Sequence, residues 1–218
     1  MLEHIEITTG DSPQLAVIWL HGLGADGHDF EFLPRALESY LPAAVRYVLP
    51  HAPVRPITLN GGFPMRAWFD MDRVGIDIQT DVNELEQARA SIVELIERET
   101  ERGLAANQIV LGGFSQGGAL ALSTGLQYST PLAGIVGLST YLSQQIFDLF
   151  EQVPPTNTPI FQTHGRHDEI LPFELGLNTH DALKTLGCDI TWLAYDMPHS
   201  VCEQEMDDLG QWLQTRVQ

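Results

Sequence analysis

Along the chain, short and nearly unbroken apolar runs alternate with longer stretches in which apolar residues return every three or four positions. The short runs fall at residues 5–8, 15–20, 45–49, 109–113, 134–138, 159–164 and 190–195. Most lack an apolar–polar alternation, as strands buried on both faces do, and such strands belong to parallel sheets covered by helices. The longer stretches predict helices at 30–41, 81–102, 116–127, 144–150, 173–186 and 201–217. In the first, Pro34 suits an opening turn. In the second, Val82, Leu85, Ala88, Ile92, Leu95 and Ile96 share one helical face, and Gly103 follows as a stop. Strand–helix alternation with right-handed crossovers predicts an α/β fold, a mostly parallel, doubly wound sheet flanked by helices.

One segment breaks the rhythm. Residues 50–75 hold Pro53, Pro56, Pro64 and the pair Gly61–Gly62, with Phe63, Trp68 and Phe69 among them. An irregular stretch of this length in a compact domain is either a functional lid or a small hairpin that only packs. No internal repeat or low-complexity linker divides the 218 residues, so a single domain over 1–218 is expected, with the 50–75 excursion bordering any site.

Charge narrows the partners. The formal net charge is −18, from 29 acidic against 11 basic residues, and Lys184 is the only lysine. Such a surface repels nucleic acid and anionic headgroups within the screening length, so neither a nucleic-acid partner nor stable membrane insertion is expected. With 44% hydrophobic and 18% charged residues, the chain can bury a sizeable core. Cys188 and Cys202 form no disulfide framework and no metal-binding pair. Residues 1–9 carry Glu3 and Glu6 where a signal peptide would be basic and apolar, so a cytoplasmic location is expected.

The chemistry begins at Gly113-Phe114-Ser115-Gln116-Gly117, which leaves an apolar strand and enters a helix of small residues. A tight strand-to-helix turn forces its serine into unfavourable backbone geometry, so that the hydroxyl projects above the sheet, and glycines on either side avoid collision. A serine hydroxyl needs a base, and on this topology the acid and then the histidine follow it, each after a later strand. His199, just after the last strand, is the expected base, while His180 falls within a helix as a solvated side chain. Asp168, after the strand at 159–164, is the expected acid, ahead of its neighbour Glu169 and of Asp196. A metal held by His164, His167 and Asp168 is disfavoured, because further paired ligands are missing, and no cofactor is called for. Leu23, in the turn after the strand at 15–20, and Gln116, next to the serine, are the expected oxyanion donors through their backbone N–H groups. His21 is expected to be a structural hydrogen-bonder.

Together these pieces resemble the α/β-hydrolase fold, and more narrowly the phospholipase/carboxylesterase family, which includes acyl-protein thioesterases. The resemblance runs from Val17 to the C-terminal helix. It is carried by His21-Gly22-Leu23-Gly24, by residues 52–62 with Met65-x-Ala67-Trp68-Phe69-Asp70, and by Gly113-Phe114-Ser115-Gln116-Gly117-Gly118. His164-Gly165-x-x-Asp168 with Pro172, and His199-Ser200-Val201, complete it. The resemblance implies a serine carboxylesterase acting on short to medium acyl esters through an acyl-enzyme. An acyl-protein thioesterase or lysophospholipase using the same triad is the alternative. It also implies that Trp68, Phe69 and Leu23 line the acyl pocket. Asp196-Met197-Pro198 departs from the family, which often has glycine beside the histidine. The expected partner is a small-molecule ester or acylated substrate, with a homodimer left open. A catalytically silent binding protein and a peptidase are the rival readings, and an intact serine, acid and histidine argue against the first.

Overall fold

A computed structural model describes residues 1–73, 75, 78–152 and 157–216. The strands are β1 (His4–Thr8), β2 (Leu15–Leu20), β3 (Val45–Pro50), β4 (Val54–Ile57), β5 (Phe63–Arg66), β6 (Ile109–Phe114), β7 (Gly134–Leu138), β8 (Ile160–Gly165) and β9 (Ile190–Tyr195). The helices are α1 (Leu33–Leu37), α2 (Val82–Glu101), α3 (Gln116–Leu126), α4 (Gln144–Gln152), α5 (Phe173–Thr185) and α6 (Glu203–Gln214). Among the predicted segments, Val74 and Val217 lie outside the described residues.

Seven strands form one sheet in the order β1-β3-β2-β6-β7-β8-β9. All neighbours are parallel except β1, which runs antiparallel to β3 at the edge. This is the α/β-hydrolase arrangement. The unbroken apolar run of β2 serves two cores at once. Ala16, Ile18 and Leu20 pack beneath α2 and α3 on one face, while Leu15, Val17 and Trp19 meet α1 and α6 on the other. Because side chains alternate across a strand, a sheet covered on both faces needs apolar residues at every position.

Helix ends follow local chemistry. The Asp81 carboxylate accepts hydrogen bonds from the amides of Asn83 and Glu84 and so caps α2, whose buried face carries Leu85, Ile92, Leu95 and Ile96. The predicted helix at 30–41 is shorter than expected. A 3-10 turn at Gly27–Phe30, closed by reciprocal bonds between Asp26 and Asp29, precedes it, and α1 covers only Leu33–Leu37, with Pro34 in its first turn.

The 50–75 segment contains the hairpin β4–β5, with Ile57 opposite Phe63 and Val54 opposite Arg66. Its anchors are polar. The Gly24 amide donates to the Arg66 carbonyl at 2.8 Å, Thr58 donates to Asp70 through both amide and hydroxyl, and Arg55 pairs with Glu84 at 2.7 Å. Among the described residues no helix is long and apolar enough to cross a membrane.

One buried acid lies outside the surface networks. Glu205, in the first turn of α6, is fully buried against the Thr163 hydroxyl of β8. Burial pushes its carboxyl up to about 7 despite the bonds from Thr163 and the Cys202 amide. A group that binds its proton more tightly when folded makes the native state lose stability as pH rises from its unfolded value of 4.5 to about 7. Glu205→Gln is therefore expected to raise the melting temperature at about pH 8.5 and to give a much smaller gain near pH 5. Equal shifts at both pH values in thermal melts would refute this assignment.

Candidate active site

The turn between β6 and α3 is forced by close packing of backbone on backbone. A Cβ at Gly113 would come within 2.4 Å of the Gly117 backbone, and one at Gly117 within 2.2 Å of the Leu20 carbonyl. Only glycine lets the two segments approach so closely. Between them Ser115 adopts φ 56° and ψ −121°, a strained conformation costing about 1–3 kcal/mol. Its amide is held by the Leu138 carbonyl at 2.9 Å, and its carbonyl accepts the Thr140 hydroxyl at 2.7 Å, so the end of β7 braces the turn.

Three residues from the carboxyl ends of different strands meet there. Ser115 Oγ lies 3.0 Å from His199 Nε2, and His199 Nδ1 lies 2.6 Å from Asp168 Oδ2. Asp168 Oδ1 accepts the amides of Ile170 and Leu171 at 2.9 and 2.7 Å. Burial raises the Asp168 carboxyl, but hydrogen bonds from His164, His199 and the Leu171 amide outweigh it and hold the acid well below the usual carboxylate range. An ionised Asp168 fixes the His199 proton on Nδ1 and leaves Nε2 free to take the serine proton. The Phe114 ring packs against the imidazole, centroids 4.7 Å apart.

The alternatives go elsewhere. Asp196 pairs with His167 at the surface, and Glu169 is exposed. His164 is buried beside Asp168 while its proposed co-ligand His167 faces solvent, and no group of three His, Cys, Asp or Glu side chains suited to a metal occurs among the described residues. His180 is not simply solvated, since its ring lies against Trp192 with centroids 5.4 Å apart.

A cavity of about 350 Å³ opens at Ser115, its wall built largely from Leu23, Leu59, Met71, Phe114, Tyr141 and Leu171. Leu23 and Gln116 both border it. The amides that follow Leu23 are already engaged, Gly24 with Arg66 and Ala25 with Gly22, while the Gln116 amide opens α3, where the helix dipole favours negative charge. A larger hollow of about 580 Å³ lies beyond Tyr141, and none of Ser115, Asp168 and His199 borders it.

Trp68 and Phe69 require a correction. Neither lines the cavity; both are fully buried in the core. The cause is their backbone. The Gln116 side chain accepts the Trp68 amide at 2.9 Å and donates to the Phe69 carbonyl at 2.8 Å, and the Trp68 indole N–H donates to the His21 carbonyl at 2.8 Å. These bonds turn both rings inward, and Met71 reaches the wall instead. Leu59, Met71 and Tyr141 were missed by sequence reasoning; the only signal for the first two was their place in the 50–75 segment, Leu59 in the turn of the hairpin and Met71 just beyond it. His21 orders this corner. Its Nε2 accepts the Ala52 amide at 3.0 Å and its Nδ1 donates to the Gly22 carbonyl, and burial lowers its proton affinity, in keeping with a neutral ring.

The sequence profile of the phospholipase/carboxylesterase family matches residues 2–217. The chain is 36% identical over 231 residues to acyl-protein thioesterase 1 of Cryptococcus neoformans var. neoformans, an alignment covering 97% of this chain and 96% of that one. The fold is similar to that of Arabidopsis thaliana SOBER1, with a TM-score of 0.86, 29% identity, and coverage of 94% of this chain and 99% of that one. It is also similar to acyl-protein thioesterase 2 of Zea mays, with a TM-score of 0.85, 27% identity, and full coverage of both chains.

Gln116→Ala keeps the backbone amide at the site but strips two buried bonds from the loop. It is expected to cost about 2–4 kcal/mol in urea unfolding and to raise KM more than it lowers kcat, because the Met71 wall loosens. Unchanged stability would show that these bonds do not hold the loop.

Proposed function

Because the chain belongs to the phospholipase/carboxylesterase family and is a serine hydrolase of the esterase and thioesterase type, we propose that it removes acyl groups from thioesters, S-acylated proteins foremost, through an acyl-enzyme on Ser115. The observation that carries this reading is the Ser115–His199–Asp168 relay at the mouth of an apolar cavity. The relatives named acyl-protein thioesterase support the choice of thioester over oxygen ester, which sequence reasoning had ranked first.

In this mechanism His199 takes the Ser115 proton as Oγ attacks the acyl carbon, and returns it to the leaving sulfur. Asp168 stabilises the imidazolium between the two transfers. The amides of Leu23 and Gln116 receive the oxyanion, where loss of one such donor costs about 2–4 kcal/mol. Water activated by His199 then frees the acid. The acyl chain lies along Leu59, Met71, Tyr141 and Leu171, where its burial contributes roughly 0.8 kcal/mol per methylene. Oxygen esters enter the same steps with a poorer leaving group.

The test is hydrolysis of matched thioester and unactivated alkyl oxygen ester series of rising chain length, together with an S-palmitoylated peptide, by the parent and by Ser115→Ala. The parent is expected to act on all three and to prefer the thioester at equal chain length. The variant is expected to lose roughly four orders of magnitude or more in kcat. Equal rates from both proteins would remove Ser115 as nucleophile. Activity on oxygen esters with none on the acylated peptide would return the enzyme to the carboxylesterase reading.

A further inference from the structure

Asp168 has one more hydrogen-bond donor than a relay requires. His164, two residues before the loop that carries Asp168 and fully buried, places Nε2 2.8 Å from the Leu171 carbonyl and 3.3 Å from Asp168 Oδ2. A carbonyl only accepts, so the proton sits on Nε2 and is directed to Leu171, with the carboxylate oxygen that accepts the His199 Nδ1–H bond 3.3 Å from the same nitrogen. The other ring nitrogen has no hydrogen-bond partner among the described residues. There α5 closes over the ring, and a Cβ at Gly176 would come within 2.3 Å of His164 Nδ1. Gln162, on the same face of β8, donates to the Gly176 carbonyl at 2.9 Å and holds the helix in place, and Phe173 meets the ring edge-on.

A buried imidazole with one nitrogen satisfied and the other enclosed has one orientation and one tautomer. We propose that His164 is a positioning residue for the relay: a fixed Nε2–H donor that holds Asp168 Oδ2 in line with His199 Nδ1. With two amides on Oδ1 and two imidazoles on Oδ2, the carboxylate cannot swing away when His199 gains its proton. This rests on the reading of Asp168 as the triad acid, and the test separates the two.

His164→Met fills the space without a donor, and His164→Gln returns an amide N–H to the position of Nε2. His164→Met is expected to lower kcat by about tenfold while KM stays within about twofold. The acid limb of its kcat/KM profile should move to higher pH, since a carboxylate relieved of one donor pulls harder on the imidazolium opposite it. His164→Gln should restore both. In an Asp168→Asn background the methionine substitution should have no further effect on kcat, because the residue it acts through no longer serves. Unchanged kcat and an unmoved limb in a folded His164→Met overturn the proposal, and so does the same loss in both backgrounds. Full activity of Asp168→Asn alone would instead overturn the triad reading, and this proposal with it. If His164→Met does not fold, ¹⁵N spectroscopy of the unaltered protein decides. A proton on Nε2 of His164 supports the role, and a proton on Nδ1 ends it.

Discussion

The backbone contact between Gly113 and Gly117 governs the rest of the site. At that crossing the strand β6 and the helix α3 approach to a distance no Cβ would tolerate, and the chain between them has a single path, which leaves Ser115 at positive φ. The strained hydroxyl stands clear of the sheet, and the α3 N-terminus lies directly behind it. The turn persists because its neighbours over-determine it. Leu138 and Thr140 hold the serine backbone from β7, and the carbonyls of Leu20 and His21 at the end of β2 press against Gly117. Strain of this kind is stable only inside a scaffold that offers no alternative.

Around that turn the buried polar groups are arranged by hydrogen bonding. Gln116, His21 and His164 are each enclosed, and each spends its side chain on backbone carbonyls or amides of another segment. Gln116 binds the loop after the hairpin, His21 binds the chain just before the hairpin at Ala52, and His164 binds the loop that carries Asp168. Unsatisfied, any of these groups would cost more than it contributes. Through the bonds they make, they fix loops that apolar packing alone would leave loose.

The sheet and the relay were legible because their signals are patterned. Unbroken apolar runs gave strand positions to within a residue or so, and the order of serine, aspartate and histidine after successive strands distinguished Asp168 from Asp196 and His199 from His180. Direction was not legible. Trp68 and Phe69 read equally well as pocket wall or core, since residue type says what a side chain prefers and not which way its backbone is turned. That turn depends on Gln116, almost fifty residues away in sequence. Leu59 and Met71 were invisible for the same reason. The role of His164 could not be read either, because alternation along β8 gives the face of a residue but not its partner. The helix at 30–41 was drawn too long because the Asp26–Asp29 cap stabilises a separate 3-10 turn ahead of it.

His199 follows β9, an edge strand whose residues are mostly only half-buried, whereas Ser115 follows a central strand sealed on both sides. The two ends of the relay therefore stand on supports of unequal strength. Local opening starts where burial is least, and fraying of that edge would carry His199 away from Ser115 while the interior of the sheet stayed closed. Under the proposed mechanism, turnover would thus respond to one margin of the molecule, the edge at β9, before the core opened.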